Sequence, residues 1–321
     1  MNTRLEFMPH WGLNCPHRQT ILATLLPSHF TPRKTKRHTV RLADGEQLYL
    51  FENGPASKAA PVVLVHGLGG SYQSGYMRRI SAKLARQGRQ VFRVNLRGVA
   101  EGVRLAQKTA HAGCIEDLAD ALRWIHRHAS SAPAAVAGFS LGGNIVLKLL
   151  SRLTDFPGIP ISRAVTVAPP IDLETSSQKI TSQHKGFYDR VFLRNLHKHL
   201  NQRSRYYPDC PYTPLWPSPK TLRDLDHRFT APVNGFSGVD DYYGQSSSKD
   251  ELYRITTPTT ILIAEDDPVV PAEIFSDAEL SASTTLLRTT HGGHLGYLSG
   301  RRHQGDHRWM DWKVIELLLE K

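Results

Sequence analysis

The stretch that most narrows the possible folds is Ala134-Ala-Val-Ala-Gly-Phe-Ser-Leu-Gly-Gly-Asn144. Its first half is a short apolar run of strand character, and Leu141–Leu150 continues at helical spacing. At the junction stands Gly138-Phe139-Ser140-Leu141-Gly142, a G-x-S-x-G pattern. A serine hydroxyl is a poor nucleophile until it is lifted within reach of a base. A strained turn between strand and helix does that, and small residues at 138 and 142 let neighbouring backbone close around it. Gly143 keeps the helix start narrow, and free N–H groups at a helix N-terminus favour a developing negative charge.

The surroundings repeat the strand-then-helix rhythm. Pro61-Val-Val-Leu-Val65 is a β-branched apolar run of the kind buried on both faces of a sheet. Gln90–Asn95 and Ile161–Ala168 are further strands, the latter stopped by Pro169-Pro170. Between them, Tyr76, Ile80 and Leu84 recur before Gly88. Ile115, Leu118, Leu122 and Ile125 make a second helical face, with Glu116 and Asp117 in its first turn. The alternation from 61 to 170 predicts an α/β fold: a mostly parallel sheet flanked by helices.

Upstream, Arg37–Leu42 and Gln47–Glu52 flank Ala43-Asp44-Gly45-Glu46, a hairpin signal. Residues 1–32 lack a period apart from a short helix expected at Gln19–Leu26, and read as an N-terminal strap over the domain. The rhythm resumes with a strand at Pro258–Ala264, a helix at 272–280, a strand at Thr284–Thr289 and a closing helix through Trp309, Trp312, Ile315 and Leu319. The expected core is therefore 1–173 plus 251–321, with 174–250 inserted as a lid. The lid holds eleven of the chain's 27 aromatic residues, and Pro208, Pro211, Pro214, Pro217 and Pro219 exclude a long helix through its middle. Two readings of these rings stay open: they line an apolar acyl pocket, or they pack the lid onto the core. Asp240-Asp241-Tyr242-Tyr243 lacks the further spaced carboxylates of a cation site and reads as structural.

Three reactive groups then fall in a meaningful order. Ser140 is followed by Asp267, where the chain leaves the 258–264 strand, and by His294, after the 284–289 strand. In such a set the histidine takes the serine proton and later returns it to the leaving group. The acid holds the imidazole's tautomer and stabilises its charged form. Asp266, Asp172 and His291 are rivals, and Asp266→Ala is expected to cost little. The strand at 61–65 ends in His66-Gly67-Leu68-Gly69-Gly70, a turn whose backbone N–H groups can converge on an oxyanion. The N–H of Leu141, the residue after the nucleophile, supplies the other half. His66 shapes this loop. No Gly-Lys-Ser/Thr or G-x-G-x-x-G accompanies it, so no nucleotide cofactor is expected.

The composition decides among partners. Lys+Arg number 40 against 29 Asp+Glu, a net charge of +11. The charge is spread along the chain, and only Arg33-Lys34-Thr35-Lys36-Arg37 is dense. Without an RNA-binding signature no nucleic-acid partner is expected, while peripheral contact with an anionic membrane surface stays open. Cys15, Cys114 and Cys210 are odd in number and far apart, which fits a reducing cytoplasm. No C-x-x-C occurs, and the i,i+2 pairs His126/His128 and His197/His199 point to different helix faces, so no metal site is expected. Met1–His10 carries Arg4, Glu6 and His10 with no apolar h-region, so no secretory signal is expected, and no uncharged apolar run reaches the ~18 residues of a membrane span.

Seven motifs together carry a family resemblance: Pro16-His17-Arg18-Gln19-Thr20, the 66–70 loop, Asn95-Leu96-Arg97-Gly98, the 138–144 turn, Asp240-Asp241-Tyr242-Tyr243, Asp266-Asp267-Pro268 and His291-Gly292-Gly293-His294. The chain resembles the YheT-like α/β-hydrolases, related to animal membrane-associated α/β-hydrolase-domain lipases and yeast medium-chain ethyl-ester synthase/esterases. The resemblance implies the α/β-hydrolase fold, the triad Ser140, Asp267 and His294, and oxyanion N–H donors at Leu68 and Leu141. Cys15 and Arg18 stand where the family has Asn and Leu, and the membrane helix of the animal relatives is absent. The expected activity is hydrolysis of short- to medium-chain acyl esters, small-molecule substrates, through an acyl-enzyme on Ser140. The alternatives are acyl transfer to an alcohol through the same intermediate, or a non-catalytic basic module binding anionic polymer or membrane.

Overall fold

The computed structural model describes residues 2–57, 59–210 and 217–320. Pro211, Tyr212, Pro214 and Trp216, which entered the reading of the lid, lie outside the described residues.

Among the described residues nine strands form one sheet in the order β1-β9-β8-β7-β6-β4-β5-β3-β2. They are β1 (Asn2–Arg4), β2 (Lys36–Arg41), β3 (Gln47–Asn53), β4 (Val62–Val65), β5 (Val91–Asn95), β6 (Ala134–Phe139), β7 (Ile161–Val167), β8 (Thr259–Ala264) and β9 (Thr284–Thr289). Neighbours from β1 through β5 pair parallel, and the β2/β3 hairpin adds the antiparallel edge. The central strands are apolar because both faces are covered. In β4, Val63 and Val65 join the core on one face, and Val62 and Leu64 the core on the other.

Helices α2 (Gly75–Arg86) and α10 (Trp309–Leu319) cover one face, and α3 (Ile115–His128) and α4 (Leu141–Ser151) the other. The first pair also shares a buried charge cluster, in which Arg79 donates through Nε and Nη2 to Asp311 at 2.8 and 3.1 Å. Between β7 and β8 the chain leaves the sheet for a helical excursion: α5 (Leu173–Ser182), α6 (Phe187–Arg203), the short α7 (Leu222–Leu225) and α8 (Ala231–Val233), and α9 (Val239–Ser246). No helix among the described residues is long and apolar enough to cross a membrane.

Three local expectations change. Helix α1 spans Pro16–Leu25 and starts before Gln19, because proline suits a first turn whose N–H has no intrahelical acceptor. The helix expected at 272–280 shrinks to a single 3₁₀ turn, Ala272–Phe275. Ser276 and Asp277 compete with helical hydrogen bonding, and Lys249 holds the Asp277 carboxylate at 3.0 Å. A hairpin of β10 (Leu298–His303) and β11 (Asp306–Arg308) had no sequence signal, since Arg301, Arg302 and His303 break the apolar alternation. The N-terminal segment also does more than lie over the domain, because β1 extends the sheet beside β9.

Candidate active site

Ser140 sits between β6 and α4 with φ 51° and ψ −125°, in a region that a residue with a side chain rarely occupies. Its N–H is anchored to the Val167 carbonyl at 2.8 Å, and the surrounding glycines make the turn sterically feasible. A Cβ at Gly138 would stand 2.5 Å from the Gly142 carbonyl oxygen. One at Gly67 would stand 2.9 Å from the Ser140 Cβ. The two glycine motifs, far apart in sequence, are therefore two sides of one crowded joint.

Loops after β8 and β9 deliver the other groups. His294 Nε2 lies 3.0 Å from Ser140 Oγ, and its Nδ1 lies 2.9 Å from Asp267 Oδ2. The second Asp267 oxygen accepts the N–H groups of Val269 and Val270 at 2.8 and 3.0 Å. With Nδ1 donating to the carboxylate, Nε2 is left as an acceptor for the serine hydroxyl. All three residues are at most 9 % exposed, so their interactions are little screened by water.

The rival residues go elsewhere. Asp266 accepts the Gly293 N–H at 2.8 Å and faces His291 Nδ1 at 3.2 Å, and burial pushes its pKa up. It thus braces the loop beside His294, which gives it more to do than the sequence reading allowed. Asp172 caps α5 by accepting the Thr175 N–H. His66 is held between the Gly67 carbonyl and the Leu96 N–H, and burial lowers its pKa to about 4. It is thereby kept neutral as a strut of the glycine loop.

Leu68 and Leu141 line the same cavity as Ser140, and neither backbone N–H is taken by an acceptor among the described residues. The cavity is about 150 Å³ and runs from Ser140 beneath the excursion between β7 and β8. Of the nine described aromatic residues in that segment, Phe192, Phe229, Tyr242 and Tyr243 line it. Others pack: Tyr188 meets His17, and Phe236 packs against Tyr242. Some rings of the segment thus line a cavity while others pack it together. The Asp240–Tyr243 motif is bound up in the same way. Tyr242 Oη accepts the Ala112 N–H at 3.0 Å, and Tyr243 donates to Asp226 at 2.8 Å. Asn144, at the end of the 138–144 motif, ties α4 to the Ala112 and Ser246 carbonyls and to Ser248. Among the described residues no three His, Cys, Asp or Glu side chains converge as a metal-ligand set.

The sequence reading assigned no role to the Pro16–Thr20 motif. Thr20 Oγ1 accepts the backbone N–H of His294 at 2.9 Å, and Gln19 Oε1 accepts that of Leu298 at 2.6 Å. The loop they hold is contorted: Gly293, Leu295 and Tyr297 all have positive φ. A Cβ at Gly293 would lie 2.5 Å from the Pro16 carbonyl oxygen. Helix α1 is the surface against which the histidine loop is pressed. The available signal was the motif itself, but nothing in its residue types shows what it touches.

The alpha/beta hydrolase fold family profile matches residues 60–300. YheT of Escherichia coli strain K12, whose name marks it as a candidate esterase, is 31% identical over 303 residues, covering 92% of this chain and 88% of that one. Phospholipase ABHD3 of Homo sapiens is 26% identical over 88% of this chain and 71% of that protein. Among solved structures, the Pyrococcus furiosus esterase Pf2001 superposes with a TM-score of 0.57 at 18% identity, covering 91% of this chain and 96% of that chain, a likeness of fold.

Proposed function

The chain belongs to the α/β-hydrolase fold family, in the group that contains YheT of Escherichia coli, and from that premise we propose that it is a serine carboxylic-ester hydrolase. The observation that carries this reading is the continuous chain of hydrogen bonds Ser140 Oγ–His294 Nε2 and His294 Nδ1–Asp267 Oδ2, opening onto a cavity.

Ser140 Oγ attacks the ester carbonyl carbon while His294 Nε2 takes the hydroxyl proton. The Asp267 carboxylate stabilises the resulting imidazolium. The N–H groups of Leu68 and Leu141 receive the carbonyl oxygen as it becomes an oxyanion. Collapse breaks the bond to the alcohol, which leaves with the proton from His294, and the acyl group stays on Ser140. A water molecule, deprotonated by the same nitrogen, attacks the acyl-enzyme and releases the acid. The small cavity under Phe192 and Phe229 suits short- to medium-chain acyl groups.

The test is a series of p-nitrophenyl esters of rising chain length together with a fluorophosphonate probe. Turnover peaking at short to medium chains, with labelling lost in Ser140→Ala, is the expected result. Absence of both turnover and labelling would refute the assignment.

A further inference from the structure

The lid cavity contains a charge that this chemistry does not use. Arg203, the last residue of α6, lines the same cavity as Ser140 and is 2 % exposed. Its Nη1 donates to the Ala106 carbonyl at 3.3 Å, while Nε and Nη2 have no hydrogen-bond partner among the described residues. The rings of Tyr207 and Phe229 lie 4.8 and 5.9 Å from its guanidinium carbon, and the Cys210 thiol beside it is a weak acceptor at best. Of the carboxylates that act on it, Glu46 is already committed to Arg97 and to the Gln107 N–H. Asp226, on the same cavity wall, is engaged by Tyr243.

The unpaired atoms form one edge of the guanidinium, and this protein shows twice what that edge is for. Arg79 presents Nε and Nη2 together to the two oxygens of Asp311, and Arg97 does the same to Asp117. Both are buried, and both are matched by a planar oxyacid within the chain. Arg203 is buried to the same degree, offers the same edge, and meets no such group. Leaving it so is costly, since burial disfavours its charge and draws its pKa below the ordinary arginine value. Arg97 and Asp226 on the same cavity wall are matched by Asp117 and Tyr243, whereas the Nε/Nη2 edge of Arg203 is not, and such a convergent polar group is what orients a ligand in a pocket.

We propose that Arg203 recognises an anionic oxyacid group, a carboxylate or a phosphate, carried by the ester substrate. The inference rests on the hydrolase reading for its substrate class, but the recognition itself is a binding event and is measured without turnover. Neither unpaired nitrogen touches solvent, so binding at that edge requires the neighbouring ring of Tyr207 or Phe229 to give way.

The experiment uses full-length Ser140→Ala protein and titration calorimetry with two matched pairs. Monomethyl glutarate is compared with dimethyl glutarate, and 1-butyrylglycerol 3-phosphate with monobutyrin. The anionic member of at least one pair is expected to bind on the order of 10-fold tighter or more, the usual worth of a charged hydrogen-bonded contact. Which pair shows the preference identifies carboxylate or phosphate. Adding Arg203→Met should bring the ratio close to one, and Arg203→Lys, which keeps the charge but loses the two-pronged edge, should leave an intermediate ratio. Equal affinities in both pairs would overturn the proposal, as would a ratio unchanged in Arg203→Met with an unaltered circular dichroism spectrum. If Arg203→Met does not fold, full preference in Arg203→Lys overturns it instead. Absence of fluorophosphonate labelling in the wild-type protein, with the anion preference intact in Ser140→Ala, would sink the hydrolase reading alone. Labelling without anion preference would sink this one alone.

Discussion

Replacing Thr20 with valine tests whether the N-terminal helix holds the reactive histidine in place. Valine keeps the shape of threonine but removes the oxygen that accepts the His294 N–H at 2.9 Å. His294 is 8 % exposed, so water cannot fully replace the lost acceptor. An unsatisfied buried donor costs about 1–3 kcal/mol. The loop already carries positive φ at Leu295 and Tyr297, so it has little reserve to absorb the loss without moving. If about half of the cost appears in the transition state, kcat falls by about 5-fold. KM should hold, because Thr20 is not part of the cavity wall. The remainder should lower Tm by roughly 1–2 °C. Steady-state kinetics on the best p-nitrophenyl ester, with thermal melts, give both numbers. Thr20→Ser should retain activity. Thr24→Val, which removes only an exposed bond to the Thr20 carbonyl, serves as the control. A Thr20→Val enzyme within twofold of wild type in kcat would refute the reasoning, as would an equal loss in Thr20→Ser.

Other consequences follow from the same geometry. Asp267→Asn should lower kcat by on the order of 10⁴, since it disturbs the histidine tautomer. Asp266→Ala should cost only about 10-fold by loosening the Gly293 N–H; a larger loss at 266 than at 267 would reverse the assignment of the acid. Burial lowers the pKa of His66 and His111 from 6.5 to about 4. The unfolded chain therefore binds more protons as pH falls from 6.5 to 4, and each residue removes up to about 3 kcal/mol of stability over that window. Asp226 is raised by burial from 3.8 to about 6 and works the other way, favouring the folded state as pH falls through that range. Denaturant titrations at pH 7 and 4.5 should show a net acid destabilisation that His111→Phe lessens and Asp226→Asn deepens. An unchanged pH slope in both variants would show that these groups do not govern it.

Some of this molecule was legible because the relevant physics is local. A β-branched run such as Val62–Val65 reads as a strand buried on two faces, and it is one. The 134–150 stretch carries its own instructions: apolar strand, glycines around a serine, helical spacing. Positive φ at Ser140 and the close contacts of Gly138 are the same instructions seen in space. Where local signals were weak or outvoted, the reading slipped, as at 272–280, where a lysine from another segment holds Asp277 outward.

The linear chain carried the order Ser140, Asp267, His294, the alternation that builds the sheet, and the excursion rich in aromatic rings. It left open which rings face the cavity. It said nothing of Arg203, whose Nε and Nη2 are left without an acceptor among the described residues, and that is a property of packing. Nor did it show that Thr20 and His294, 274 residues apart, share a hydrogen bond. Such bonds depend on how helices and loops close on one another, and residue type and spacing carry no record of that closure.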